Sequence, residues 1–161
     1  MKIPARPAAF PSFLAGLVLL LLVGGPASRA APIDLTKETP DKTSNSYNLG
    51  PTGALGWMHV EGGMTEQSRQ ILVTSVEKNS PADGELEAGD VILGVFGKPF
   101  TEDARRTFGL AIGQAETEEA RGILPLTVWR KGGNVNVIVK LQVLGAYSDT
   151  SPYMCPKSAR I

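Results

Sequence analysis

Between residues 71 and 141 the chain carries four short apolar runs rich in β-branched side chains, none longer than seven residues. Runs of that length, bounded by turn formers, suit strands and are too short for buried helices. They are residues 71–76 (ILVTSV), 91–96 (VILGVF), 124–130 (LPLTVWR) and 135–141 (VNVIVKL). VILGVF is apolar on both sides of the alternation and predicts a strand buried on both faces. In the third run Leu124, Leu126 and Val128 share a face, and Pro125 restricts its start to an edge or a non-bonded position. In the fourth, Val135, Val137, Val139 and Leu141 alternate with Asn134, Asn136 and Lys140, the pattern of a half-exposed strand. Lys131-Gly132-Gly133 between these two predicts a hairpin turn. Residues 57–60 (WMHV) predict a further short strand.

Two helices interrupt the strands. Ser80-Pro81-Ala82-Asp83 sets an N-cap residue before Pro at the first helical position and predicts a very short helix. Thr101 is the candidate cap of a longer one, with Glu102 and Asp103 in a first turn whose dipole favours acids. Ala104, Phe108, Ala111, Ile112 and Ala115 recur on it at helical spacing. Gly109 and Gly113 lie on the same helix, each costing about 1 kcal/mol relative to Ala. Two explanations stay open: close packing against the sheet, or a helix side kept bare so that a peptide can lie beside it.

The first thirty of the 161 residues read as a targeting segment rather than as fold. Lys2 and Arg6 form a basic start, residues 13–23 (FLAGLVLLLLV) are apolar, and Ser28-Arg29-Ala30 places small residues at the −3 and −1 positions of a cleavage site. The apolar run is shorter than the roughly 20 residues a spanning helix needs. A signal peptide over residues 1–30, cleavage after Ala30, and export to the periplasm or the exterior are expected, with no stable membrane anchor after cleavage. Three of the sixteen basic residues and none of the sixteen acidic ones lie in that segment, so residues 31–161 carry a formal charge of about −3. A mildly acidic chain with few aromatics gives no footing for nucleic acid. Residues 31–46 (APIDLTKETPDKTSNS) are polar, hold two prolines and read as a linker. The single cysteine, Cys155, has no partner within the chain.

The stretch LGPTGALGW at residues 49–57 packs three glycines and a proline into nine residues. A phosphate loop would need Gly-Lys-Ser/Thr leading into a helix, whereas here a strand and then Glu61-Gly62-Gly63 follow. The order of elements carries a resemblance instead. VTSVEKNSPADGELEAGDVILGVFGKPF, residues 73–100, resembles the central segment of bacterial PDZ domains, most closely those of periplasmic trypsin-like proteases and tail-processing peptidases. The resemblance covers roughly residues 47–145 and implies a PDZ-like, partly open β-barrel of five to six strands with two helices. Ala54-Leu55-Gly56-Trp57 matches the family's x-Φ-Gly-Φ loop, where Φ is apolar. It implies that backbone N–H groups of Leu55, Gly56 and Trp57 receive a peptide carboxylate. It also implies that the peptide adds as a strand along Met58, His59 and Val60, with Ala104, Arg105, Phe108 and Ile112 facing its side chains. Trp57 is bulkier than the Phe, Ile or Val usual at its position, so its bulk decides whether the pocket behind the loop is open.

Hydrolytic chemistry finds no constellation. The only histidine is His59, and no Gly-x-Ser-x-Gly elbow is present. One His and one Cys do not make a zinc site. Neither a metal nor a cofactor is expected. Residues 146–161 form a tail rich in turn formers. It resembles the start of a further domain in exported bacterial proteins where such a PDZ domain precedes a large helical domain, and a short protein with a disordered tail is the alternative. The expected function is non-catalytic capture of a peptide terminus or an extended internal segment by strand addition. The alternative is the regulatory fragment of a larger exported hydrolase or protease.

Overall fold

The structure, a computed structural model, describes residues 33–40, 43, 45–145 and 157, all within the unit Ala31–Ile161. The expected signal segment, Cys155 and nearly all of the tail lie outside the described residues. The strands are β1 (Tyr47–Asn48), β2 (Ala54–Trp57), β3 (Ile71–Val76), β4 (Val91–Val95), β5 (Lys98–Pro99), β6 (Ile123–Arg130) and β7 (Gly133–Lys140). They form one open antiparallel sheet in the order β1-β2-β3-β4-β6-β7, with β5 paired to β4. The helix α1 (Ala104–Ala115) lies against its inner face.

Strand alternation sorts the side chains onto two faces. Ile71, Val73, Ile92, Leu124, Leu126, Val128 and Val139 point inward and meet Ala104, Phe108, Ala111 and Ala115 of α1. Leu72 and Val91 point outward and form a smaller cluster with Trp57, Leu93 and Trp129. Leu35, in the stretch read as a linker, is buried in that outer cluster, and its N–H donates to Gln70 Oε1 (2.6 Å). Val137, Val139 and Leu141 are buried as the alternation predicts, whereas Val135 near the hairpin tip is exposed. Lys131 and Gly132, both at positive φ, make the two-residue turn between Arg130 and Gly133. Pro125 sits where β6 has run past the end of β4, its carbonyl accepting from Phe96 N–H (2.9 Å). Its missing N–H therefore costs no ladder bond there.

Three expectations are corrected. The sheet has seven strands rather than five or six, because two-residue pairings at β1 and β5 extend it. The segment from Ser80 is a run of turns rather than a second helix. Gly84 at φ +82° breaks helical geometry after one turn, and the Asp83 carboxylate is held by Asn79 N–H (2.7 Å). On α1 the N-cap is Asp103 rather than Thr101. Its Oδ1 accepts from the Arg105 and Arg106 N–H groups (2.9 and 3.4 Å), and its Oδ2 from the Thr65 hydroxyl (3.0 Å).

Candidate functional site

β2 lies between β3 and β1, and β1 separates it from α1. β1 is antiparallel to β2, with Tyr47 opposite Gly56 and Asn48 opposite Leu55. On its other side Tyr47 meets the helix, the Arg105 guanidinium standing 4.4 Å from the ring centroid. Three residues on, a side chain at Gly50 would place its Cβ 3.2 Å from Ile112 Cδ1. Seven helical residues and three extended ones both span about 10 Å. Residues 47–50 therefore run alongside α1, in the groove between it and β2.

The glycine-rich loop closes on itself. Asn48 Oδ1 accepts from Gly50 N–H (2.7 Å), and Gly50 carbonyl accepts from Gly53 N–H (3.2 Å). The buried Thr52 hydroxyl donates to Leu49 carbonyl (3.0 Å) and accepts from Ala54 N–H (3.2 Å). Leu49 N–H donates to Ala54 carbonyl (3.0 Å). The glycines serve close packing. A Cβ on Gly53 would stand 2.2 Å from Ser80 Cβ, and one on Gly56 2.5 Å from Ile71 Cγ2. Both are closer than side chains tolerate, so only glycine lets the loop seat on the Ser80 turn and lets β2 lie on the core.

The PDZ domain family model matches residues 49–129, half of the chain. The chain belongs to the PDZ domain family. No curated protein matches it. PDZ domains are peptide-binding protein-interaction modules, and in this one β1 occupies the edge of β2 that faces α1.

The residues expected to form the site divide. Arg105 and Ile112 border the groove, against Tyr47 and Gly50. Ala104 and Phe108 lie beneath it as buried core. Leu55 and Gly56 do not form a free loop: they are strand residues paired to β1 on one side and β3 on the other. Trp57 pairs with Leu72 and packs in the outer cluster with Trp129, so its ring does not fill the groove. Leu49 takes the inner space instead, buried against Gly56. The strand expected over residues 57–60 ends at Trp57. Met58 is completely buried in the core, and Val60 is exposed. His59 borders a small cavity of about 120 Å³ with Asp34, Leu35 and Gln70, away from α1. A Cβ added at Gly109 or Gly113 would meet nothing within 4 Å, which removes close packing against the sheet as the reason for these glycines.

Sequence reasoning missed Tyr47 and Leu49 as groove residues. The signal was their spacing of two, with Asn48 between them, immediately before the loop. It also missed a larger hollow of about 630 Å³ on the opposite flank of α1, bordered by Phe96, Pro99, Leu110 and Gln114.

Proposed function

We propose that this chain is an exported peptide-binding module that takes an extended segment into the β2–α1 groove by strand addition to β2. The observation that carries this reading is β1 itself: an extended segment already pairs antiparallel with β2 while its Tyr47 side chain meets α1. Backbone pairing supplies affinity without sequence demands, and side chains at alternate positions supply selectivity through Arg105 and Ile112. The chain in the groove continues through Gly50 into the loop rather than ending there, and the loop N–H groups bond within the loop. This favours an internal extended segment over a free carboxylate. Export rests on the layout of residues 1–30.

The test is a screen of short peptides, each with a free and an amidated terminus, against the full chain and its Tyr47→Ala variant. Binders with apolar residues at alternate positions are expected, bound equally well in both terminal forms and lost in Ile112→Lys. No binder to either chain, or binders indifferent to Ile112→Lys, would overturn the groove. A clear preference for free carboxylates would restore the terminus version.

A further inference from the structure

The segment in the groove is held unevenly. From Leu49 onward the chain is fixed by the bonds within the loop and by burial of the Leu49 and Thr52 side chains. Upstream, β1 makes only two residue pairs. Asn48 and Asn45 are exposed, and Tyr47 and Ser46 are half-buried. The ties there are the Arg105–Tyr47 stack, the packing of half-buried Tyr47 against the margin of the core, and a hydroxyl bond from Thr74 to Ser46 (2.8 Å). The change from lightly held to fixed falls at Leu49, and Gly50 just beyond it sits at φ +67°, a conformation open to glycine.

We infer that β1 (Tyr47–Asn48) is a built-in occupant of the β2–α1 groove, and that a peptide enters only when this segment peels away from β2. The inference rests on the reading of this groove as the peptide site. β1 has the direction an added strand takes, antiparallel to β2, and it covers Leu55 and Gly56, so segment and ligand compete for one edge. The competitor is tethered to the site by a loop of a few residues, which keeps its effective concentration high. An incoming peptide is thus bound at the intrinsic affinity reduced by the fraction of chains that are open. Anything that pulls β1 away from β2 opens the groove. Upstream, Leu35 is anchored to the outer face by its burial and by its N–H bond to Gln70.

The test uses the full chain and a labelled peptide copying residues 44–49, Ser-Asn-Ser-Tyr-Asn-Leu, with its end amidated. Asn48 and Leu55 are directly opposite and both exposed, a spacing that suits a disulfide. Asn48→Cys with Leu55→Cys, in a Cys155→Ser background, locks β1 onto β2 when oxidised and frees it when reduced. The oxidised chain is expected to bind no peptide, and reduction to restore binding. Tyr47→Ala is expected to bind about tenfold or more tightly than the wild type, since a minor open state is commonly populated at about 10% or less. Binding lost on oxidation but no tighter in Tyr47→Ala than in the wild type would overturn self-occupation and leave the groove reading standing, whereas equal binding by oxidised and reduced chains would overturn strand addition to β2 as well. No binding by any form, each shown to be folded by cooperative unfolding, would overturn both.

Discussion

Asp90 has only 2% of its side chain exposed, yet its carboxylate is fully bonded. Arg130 grips it with two bonds, Nε to Oδ1 (2.8 Å) and Nη2 to Oδ2 (2.6 Å), while Glu87 N–H donates to Oδ2 (2.8 Å). The Asp90 carboxylate in turn holds the Arg130 guanidinium charged, raising its pKa above the ordinary arginine value against the opposing effect of burial. Arg130 also reaches the Glu85 carbonyl (2.8 Å), so one side chain ties the end of β6 to the turn before β4. Removing it leaves a buried anion with a single donor. Arg130→Met is expected to cost about 3 kcal/mol, read as a lower urea midpoint with an unchanged m-value. Arg130→Lys is expected to recover only part, because an ammonium does not reproduce the two-pronged geometry. Gly89-Asp90 directly before the apolar run of residues 91–96 is a turn signature in which Asp suits an acceptor of a turn N–H. Its arginine, forty residues away, was not legible, because nothing local marks a partner that only sheet pairing brings close.

At the scale of single elements, α1 and β2 differ in how far the sequence discloses them. The helical period of Ala104, Phe108, Ala111 and Ala115 placed α1 correctly, and all four are buried. Only its cap was displaced, because Thr101 and Asp103 both fit the composition of a cap and tertiary contacts chose between them. Asp103→Ala is therefore expected to cost about 1 kcal/mol by denaturant unfolding, and Thr101→Ala to have no measurable effect. Gly109 has open space where a Cβ would go and normal helical surroundings. Gly109→Ala should raise stability by about 1 kcal/mol, seen as a higher Tm. β2 was hidden because its inward positions are Ala54 and Gly56, too small to register as an apolar alternation. The apolar WMHV looked like the strand instead, but Met58 is core and the ladder stops before it. β1 was invisible for a further reason: two residues amid polar neighbours have no period, and only the groove defines them as a strand.

Across the whole molecule the sheet separates two events, since β1 sits on the α1 side while Leu35 docks on the outer face. Both tryptophans of the chain, Trp57 and Trp129, belong to the outer cluster, so tryptophan emission reports on that face alone. Leu35→Ala is expected to shift the emission to longer wavelength and to cost about 2 kcal/mol, near the low end for an apolar truncation in a small cluster. The same docking carries a pH dependence. The Asp34 carboxyl is held well below the usual carboxylate range, first by Lys37 and then by Gln70 and Thr36. A carboxyl depressed in this way contributes stability above its unfolded pKa and loses it as pH falls through the folded value. Acid should therefore loosen residues 33–38 below about pH 4, with an emission shift like that of Leu35→Ala and before the sheet unfolds. Asp34→Asn should abolish that acid step. Releasing Leu35 removes an anchor upstream of β1, so the Leu35→Ala chain is also expected to bind the peptide of residues 44–49 more tightly than the wild type. A Leu35→Ala chain with shifted emission and unchanged affinity would show that the two faces act independently, and that β1 alone sets the occupancy of the groove.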